Sequence, residues 1–156
     1  MTALPSGRVL LDASLLVGVA ERHASAVRFV PRLRGAVATS INFGEVLYLL
    51  SQRAGTPVAA TEQMFVSVLG VKVEPVDAAV VRHFPELKRI DAVSRAAQTA
   101  AGAHQVKSLS LADMTCLAYA MEHTLPVLTG DKHWTTLHRH GLAPSVFDFR
   151  DRSLTP

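Results

Sequence analysis

The chain has 156 residues, 49% of them hydrophobic, which is enough to form one domain around one core. Its single cysteine, Cys116, excludes a disulfide framework, and we expect a buried thiol in a protein of the reducing cytoplasm. The formal charge of +3 is compatible with a nucleic-acid partner, and no uncharged run is long enough to cross a membrane.

Apolar strand-like runs alternate with segments of helical period along the chain. Strands are predicted near 8–12, 36–40, 71–75, 126–129 and 145–149. Helices are predicted at 13–22, 25–33, 42–53, 57–69, 77–101, 111–123 and 132–138, with Pro85 interrupting the fifth. This alternation indicates an α/β fold: a single domain over 1–150 with a central parallel sheet of about five strands flanked by helices. Residues 151–156 are predicted to form a loose polar tail.

Four acidic residues stand where an apolar run gives way to the start of a helix. Asp12 and Asp131 follow the first and fourth predicted strands. Glu45 and Asp113 are predicted in the first turns of the helices that begin near residues 42 and 111. Because strand exits and helix entries share the carboxyl edge of an open parallel sheet, we expect the four carboxylates to converge there.

Each of these acids also has a purely structural explanation. Carboxylates near helix N-termini accept hydrogen bonds from free amides and complement the helix dipole. The spacings from Ser110 to Asp113 and from Asn42 to Glu45 are those of a capping box, and the other two acids are good N-cap types. Capping is the stronger interpretation for any acid taken alone, but it does not require four helices to begin around one crevice.

Four carboxylates close together, with no basic residue interleaved, would repel one another and have raised pKa values unless a cation lay between them. Ligation by carboxylate oxygens alone favours Mg²⁺, with Mn²⁺ as a substitute, over zinc or copper. His133, His138 and His140 lack the spacing of a zinc motif. Magnesium in such sites takes phosphate oxygens as further ligands, which predicts phosphodiester chemistry.

Other catalytic motifs fit the sequence less well. Neither a Gly-x-Ser-x-Gly elbow nor a glycine-rich phosphate loop ending in Lys-Ser/Thr occurs. A phosphatase with Asp12 as the covalent nucleophile stays open, although Ser14 stands where a haloacid-dehalogenase-like pattern has a second aspartate.

Four segments, in this order and spacing, carry a resemblance to a known family. They are VLLDAS at 9–14, TSINFGEV at 39–46, LSLAD at 109–113 and LTGDKHW at 128–134. With them the chain resembles the PIN-domain ribonucleases, in particular the VapC-type toxins of prokaryotic toxin–antitoxin pairs. The resemblance implies a magnesium-dependent endoribonuclease that cleaves structured or single-stranded RNA and inhibits translation. It also assigns catalysis and metal binding to Asp12, Glu45, Asp113 and Asp131, with Ser14, Asn42 and Thr129 as polar neighbours.

The resemblance further implies two protein contacts. One is a homodimer, and the other is an antitoxin that lies in an apolar groove and blocks the acidic site. Lys132, His133, Arg139 and Arg150 lie near or after the last acid, Asp131, and are candidates for RNA binding. We expect Trp134 to pack in the interior rather than to stack on a base. The alternative function is a catalytically silent PIN-like module that binds RNA or protein.

Overall fold

A parallel five-stranded sheet forms the centre of the computed structural model, which describes residues 2–156. The strands are β1 (Thr2–Ala3), β2 (Leu10–Leu11), β3 (Val37–Thr39), β4 (Lys72–Glu74), β5 (Val127–Thr129), β6 (Val146–Asp148) and β7 (Leu154–Thr155). The helices are α1 (Ala13–Ala20), α2 (Ala24–Val27), α3 (Ser40–Ala54), α4 (Val58–Glu62), α5 (Ala78–Val81), α6 (Phe84–Ala100) and α7 (Leu111–His123). A π-helix at Gln63–Val68 continues α4, and 3₁₀ helices lie at Val30–Arg32 and Trp134–His140.

The strand order of the central sheet is β4-β3-β2-β5-β6, with all neighbours parallel. The five predicted strands and the predicted α/β class are therefore confirmed. From β2 the chain builds outward through β3 to β4, and it then returns to the other side of β2 with β5 and β6. This change of direction creates a crevice at the carboxyl ends of β2 and β5, where open α/β sheets bind ligands.

Alternate residues of the central strands feed two separate cores, one on each face of the sheet. Leu11, Ala38 and Leu128 belong to the core with α1 and α3. Leu10 and Val127 belong to the core with α6 and α7. Helices cover both faces, as the period of two along a strand requires when the sheet is fully buried.

Local signals fix several helix ends. The side chain of Thr39 accepts a hydrogen bond from the backbone N–H of Asn42, so α3 begins at Ser40. Gly55, with a φ of 62°, ends that helix in the left-handed conformation. Pro85 lies in the first turn of α6, and it separates α5 from α6 as predicted.

The end of the chain differs from the prediction of a loose polar tail. β7 pairs with β1 in a second, two-stranded parallel sheet, and Leu154 is buried in the core. The guanidinium of Arg28 donates hydrogen bonds of 2.9 and 2.8 Å to the backbone carbonyls of Phe149 and Leu154. These contacts attach the final residues to the body of the fold, because one buried leucine and three carbonyl acceptors, including that of Asp151, offset the polarity of the segment.

Two further segments are shorter or tighter than predicted. The predicted helix 25–33 is α2 followed by a 3₁₀ turn, and the predicted helix 132–138 is the 3₁₀ helix at Trp134–His140. Cys116 is fully buried, as predicted. None of the helices within residues 2–156 has the length and apolar character that crossing a bilayer needs.

Candidate active site

All four predicted acids line one pocket at the crevice of the sheet. The pocket has a volume of about 360 Å³, and Asp12, Glu45, Asp113 and Asp131 belong to its wall. They come from the ends of β2 and β5, from the second turn of α3 and from the first turn of α7. The fold therefore brings the four acids together, an arrangement that helix capping alone does not require.

Asp12 is the most buried acid of the pocket, with 7% of its surface exposed. It occupies the N-cap position of α1 but makes no side-chain capping hydrogen bond within the described chain. Its Oδ2 instead accepts hydrogen bonds from the hydroxyls of Ser14, at 2.5 Å, and Thr129, at 2.9 Å. Burial raises the pKa of Asp12, the charge on Asp113 raises it further, and the two hydroxyl donors oppose the rise.

The two hydroxyls also position the loop that follows β5. Ser14 Oγ accepts a hydrogen bond of 2.9 Å from the backbone N–H of Gly130, and Thr129 Oγ1 accepts one of 3.0 Å from that of Asp131. Both residues therefore contact Asp12 and fix the approach of Asp131. The side chain of Asp131 in turn accepts a hydrogen bond of 2.9 Å from the backbone N–H of His133.

Asn42, the third predicted polar neighbour, does not line the pocket. It is fully buried beside Thr39, whose hydroxyl donates a hydrogen bond of 2.5 Å to the side-chain oxygen of Asn42. The Nδ2 group of Asn42 is buried without a hydrogen-bond partner in the described part of the chain. Its role toward a ligand stays a prediction.

Asp113 combines capping with a place in the pocket. Its backbone N–H donates to Ser110 Oγ at 3.1 Å, and its Oδ2 accepts from the backbone N–H of Ser110 at 2.8 Å, so the predicted capping box exists. Burial raises the pKa of Asp113 and the charge of Asp131 raises it further, whereas the hydrogen bonds of Ser110 lower it. Capping and clustering are thus compatible at this residue.

Glu45 is placed differently from the prediction. Because Thr39 is the N-cap of α3, Asn42 is already inside the helix and the predicted capping box of Asn42 with Glu45 is wrong. Glu45 lies in the second turn, exposed at the mouth of the pocket. Partial burial and the charges on Asp12 and Asp113 raise its pKa.

Two arginines also line the acidic pocket, although within residues 2–156 neither forms a salt bridge with any of the four acids. Arg53 follows Glu45 by two helical turns on α3, and Arg150 follows β6. Arg53 lies 3.4 Å from a carboxylate oxygen of Glu21, which also lines this pocket. The four-residue spacing from Glu45 through Leu49 to Arg53 is the sequence signal that places these side chains on one helical face.

The candidates for RNA binding divide into two groups. Lys132, His133 and Arg150 line a second cavity beside the acids, whereas Arg139 lines neither cavity. Trp134 is 1% exposed and contributes to the inner wall of the acidic pocket, which confirms its predicted packing role.

The oxygen atoms of the four carboxylates are the type of ligand that a hard divalent cation prefers. All four groups are carboxylates. Burial and, after it, mutual repulsion raise the pKa of Asp12, Glu45 and Asp113, and a bound cation would offset both effects. As the side chains lie, no three acidic, histidine or cysteine side chains of residues 2–156 are grouped closely enough to hold one ion. Closing them around an ion requires side-chain rotation, which the exposed Glu45 permits.

Comparison with known proteins gives a family and a fold. The family model of the PIN domain matches residues 9–139, which include all four acids. No curated protein matches the sequence significantly.

Solved structures from several bacteria are similar to this chain. VapBC2 from Rickettsia felis, bound to a DNA fragment from its promoter, has a TM-score of 0.64 at 14% identity over 91% of this chain and 98% of that chain. Mycobacterium tuberculosis VapC20, a sarcin-ricin loop cleaving toxin, has a TM-score of 0.56 at 18% identity over 86% and 96%. A toxin-antitoxin complex from Klebsiella pneumoniae has a TM-score of 0.57 at 15% identity over 90% and 97%. At these identities the likeness concerns the fold.

Proposed function

We propose that this chain, which belongs to the PIN-domain family, is a metal-dependent endoribonuclease and the toxin of a toxin–antitoxin pair. The observation that carries the proposal is the meeting of Asp12, Glu45, Asp113 and Asp131 in one pocket at the switch point of the sheet. Similarity to the Mycobacterium tuberculosis and Klebsiella pneumoniae structures, a toxin and a toxin–antitoxin complex, agrees with this function.

In this proposal the four carboxylates hold Mg²⁺, for which Mn²⁺ can substitute. A bound divalent cation supplies charge stabilisation at the scissile phosphate and lowers the pKa of water. The hydroxyls of Ser14 and Thr129 donate to Oδ2 of Asp12, and Oδ1 is the oxygen proposed to bind the cation. Arg53 and Arg150, which line the same pocket, neutralise part of the phosphate charge.

Asp113 is the proposed general base. Its Oδ2 is occupied by the backbone N–H of Ser110, and its Oδ1 is available to accept a proton from the attacking water. Burial and the nearby charge of Asp131 raise the pKa of this carboxyl in the metal-free protein.

The proposed antitoxin covers an exposed apolar strip beside the acids. Ile41 and Tyr48 lie on the same face of α3 as Glu45, and they are 48% and 64% exposed. Leu111, two residues before Asp113, is 65% exposed. Large exposed apolar side chains beside a charged pocket are typical of a protein-binding surface. A partner seated there would block RNA, and the homodimer implied by the family resemblance is proposed to form through a separate surface.

Cleavage of a mixed RNA pool by partner-free protein tests the function. The reaction is run with Mg²⁺, with EDTA and with the Asp113→Asn variant, and the new RNA ends are sequenced. Asparagine retains an oxygen that accepts from Ser110, so the capping box survives the substitution. Asp77→Asn is the matched control, because Asp77 caps α5 by accepting from Ala79 and Val80 and does not line the pocket.

Cuts that require Mg²⁺, disappear in Asp113→Asn and persist in Asp77→Asn are the expected result. Absence of cleavage under every condition would support the silent RNA- or protein-binding module instead. Cleavage at full rate by Asp113→Asn would exclude the proposed base.

A further inference from the structure

A second cavity, which we call the basic cavity, adjoins the acidic pocket. It shares Ser14, Asp131 and Arg150 with that pocket and extends away from it to Gln98 and Lys107. Lys132 and His133 complete the charged and titratable part of its wall. The basic cavity is thus continuous with the acids but has the opposite charge, since Asp131 is the only carboxylate residue among its described lining.

The backbone of Lys107 is held in this wall by hydrogen bonds to both its N–H and its carbonyl group. Gln98 donates a hydrogen bond of 3.0 Å to the carbonyl of Lys107 and accepts one of 2.7 Å from its N–H. Two residues later, the N–H of Leu109 donates a hydrogen bond of 2.9 Å to the buried carboxylate of Asp91. These hydrogen bonds fix the backbone of the loop between α6 and α7 at Lys107, so little backbone freedom is lost there on binding.

Arg150 is fixed at the boundary between the two cavities. Its guanidinium donates a hydrogen bond of 2.9 Å to the carbonyl of Gly130 and lies 5.5 Å from the ring centre of Phe149. A Cβ at position 130 would lie 3.1 Å from the guanidinium carbon of Arg150 and 2.8 Å from the Phe149 ring. The glycine thus permits the close approach that places this cation above the loop carrying Asp131.

The cations of the basic cavity are available for a ligand. Within residues 2–156, Lys107, Lys132 and Arg150 form no salt bridge with a carboxylate. All three are exposed at the cavity wall. Unpaired lysine and arginine cations that surround an open cavity attract phosphate, and arginine offers two parallel donors to it.

We propose that the basic cavity binds a backbone phosphate of the RNA strand next to the phosphodiester held at the acids. The inference rests on the proposed function for the identity of the strand. It assigns phosphate binding to Lys107, a residue outside the four motifs, and makes Arg150 the contact shared by the two sites. The strand then leaves the acidic pocket in one direction, past Arg150 toward Lys107 and Lys132.

Binding of a fluorescein-labelled single-stranded RNA oligonucleotide, measured by anisotropy over a range of salt concentrations, tests this assignment. The Asp113→Asn variant is the background, so that the RNA is not cut during the measurement. In that background the double variant Lys107→Ala/Lys132→Ala is compared with Lys72→Ala/Lys88→Ala, whose exposed lysines line neither cavity. Both double variants remove the same charge, so a general effect of net charge appears equally in the two.

The slope of log affinity against log salt should fall by ~0.7 in Lys107→Ala/Lys132→Ala, because one lost phosphate contact on a single strand accounts for that much. The Lys72→Ala/Lys88→Ala control should keep a slope close to that of the background. Equal slopes in the two double variants would overturn the assignment.

The outcome is separate from that of the cleavage experiment. If the protein with Asp113 intact cuts no RNA but Lys107→Ala/Lys132→Ala still lowers the salt slope of RNA binding, the phosphate site is supported and the nuclease is rejected. Cleavage by a protein whose two double variants bind RNA alike would support the nuclease and reject the phosphate site.

Discussion

Thr129 and Asp12 join the ends of two neighbouring strands through a hydrogen bond of 2.9 Å from the threonine hydroxyl to Oδ2 of the carboxylate. Each follows directly on a paired position, since Leu11 of β2 pairs with Leu128 of β5. The same hydroxyl accepts the backbone N–H of Asp131 at 3.0 Å. One buried threonine therefore sets the relative positions of two of the four acids.

Thr129→Val, which keeps the shape of the side chain and removes its hydroxyl, should weaken metal use. We expect the Mg²⁺ concentration for half-maximal RNA cleavage to rise by roughly tenfold or more, because groups that orient metal ligands typically contribute that much. Thr61→Val is the control: Thr61 is buried, its hydroxyl has no partner in the described chain, and its loss should leave cleavage unchanged. An unchanged Mg²⁺ dependence in Thr129→Val would contradict the positioning role.

Asp12→Asn should abolish cleavage and also stabilise the metal-free protein. The buried carboxylate is costly in the absence of a cation, and asparagine still offers an oxygen to Ser14 and Thr129. We expect the free energy of unfolding in urea with EDTA to rise by about 1 kcal/mol. Functional residues often lower the stability of the folded protein, so replacing them often raises it. Asp91→Asn should lower the free energy of unfolding instead, because Asp91 is also buried but is paired with Arg95 at 3.2 Å. Loss of stability in Asp12→Asn would show that its charge is compensated without metal.

The stability gain of Asp12→Asn should depend on pH. Burial raises the folded-state pKa of Asp12 above its ordinary value of 3.8. Below 3.8 the group is protonated in both the folded and the unfolded state, so its burial carries no charge penalty there. The cost of burying the charged carboxylate grows as pH rises from 3.8 to the raised folded-state pKa of Asp12, and it is complete above that pKa.

Urea unfolding of wild-type protein and Asp12→Asn in EDTA, from about pH 4 to about pH 8, measures this difference. The difference in the free energy of unfolding should increase with pH, and saturating Mg²⁺ should reduce it at neutral pH. A difference that shrinks as pH rises would mean that the folded-state pKa of Asp12 is lowered.

Gly130→Ala should displace Arg150 and the ring of Phe149. The new methyl group would lie 2.8 Å from a ring carbon of buried Phe149, too close for an ordinary contact. We expect a loss of about 1–3 kcal/mol in the free energy of unfolding and weaker RNA binding. Gly44→Ala is the control, because nothing lies within 4 Å of its Cβ position and alanine is the better helix former within α3. Unchanged thermal stability in Gly130→Ala would mean that Phe149 and Arg150 move without cost.

The positions of the four acids could be predicted because the signals are local. A buried strand followed by a polar helix start identifies Asp12 and Asp131, and the serine of a capping box identifies the helix of Asp113. These acids lie together because the strand exits and helix starts of a parallel sheet share its carboxyl edge. The exact cap of α3 was missed because Asn42 and Thr39 are both good N-cap types, three residues apart.

The basic part of the site depends on tertiary contacts. Arg150 reaches the pocket because Phe149 packs on Gly130, and no sequence spacing encodes that contact. Lys107 reaches the basic cavity through the hydrogen bonds of Gln98, nine residues away. The short strands β1 and β7 were likewise missed, since two residues are too few to show an alternating pattern.

Titration with Mn²⁺, followed by the electron paramagnetic resonance signal of the free ion, tests most directly whether the four carboxylates form a divalent-cation site. Wild-type protein should remove Mn²⁺ from solution saturably, and Mg²⁺ should compete. Asp12→Asn should bind at least about tenfold more weakly, because it lacks one of the proposed ligands. Equal Mn²⁺ binding by the two proteins, or none by wild type, would contradict the assignment of these acids to a metal site.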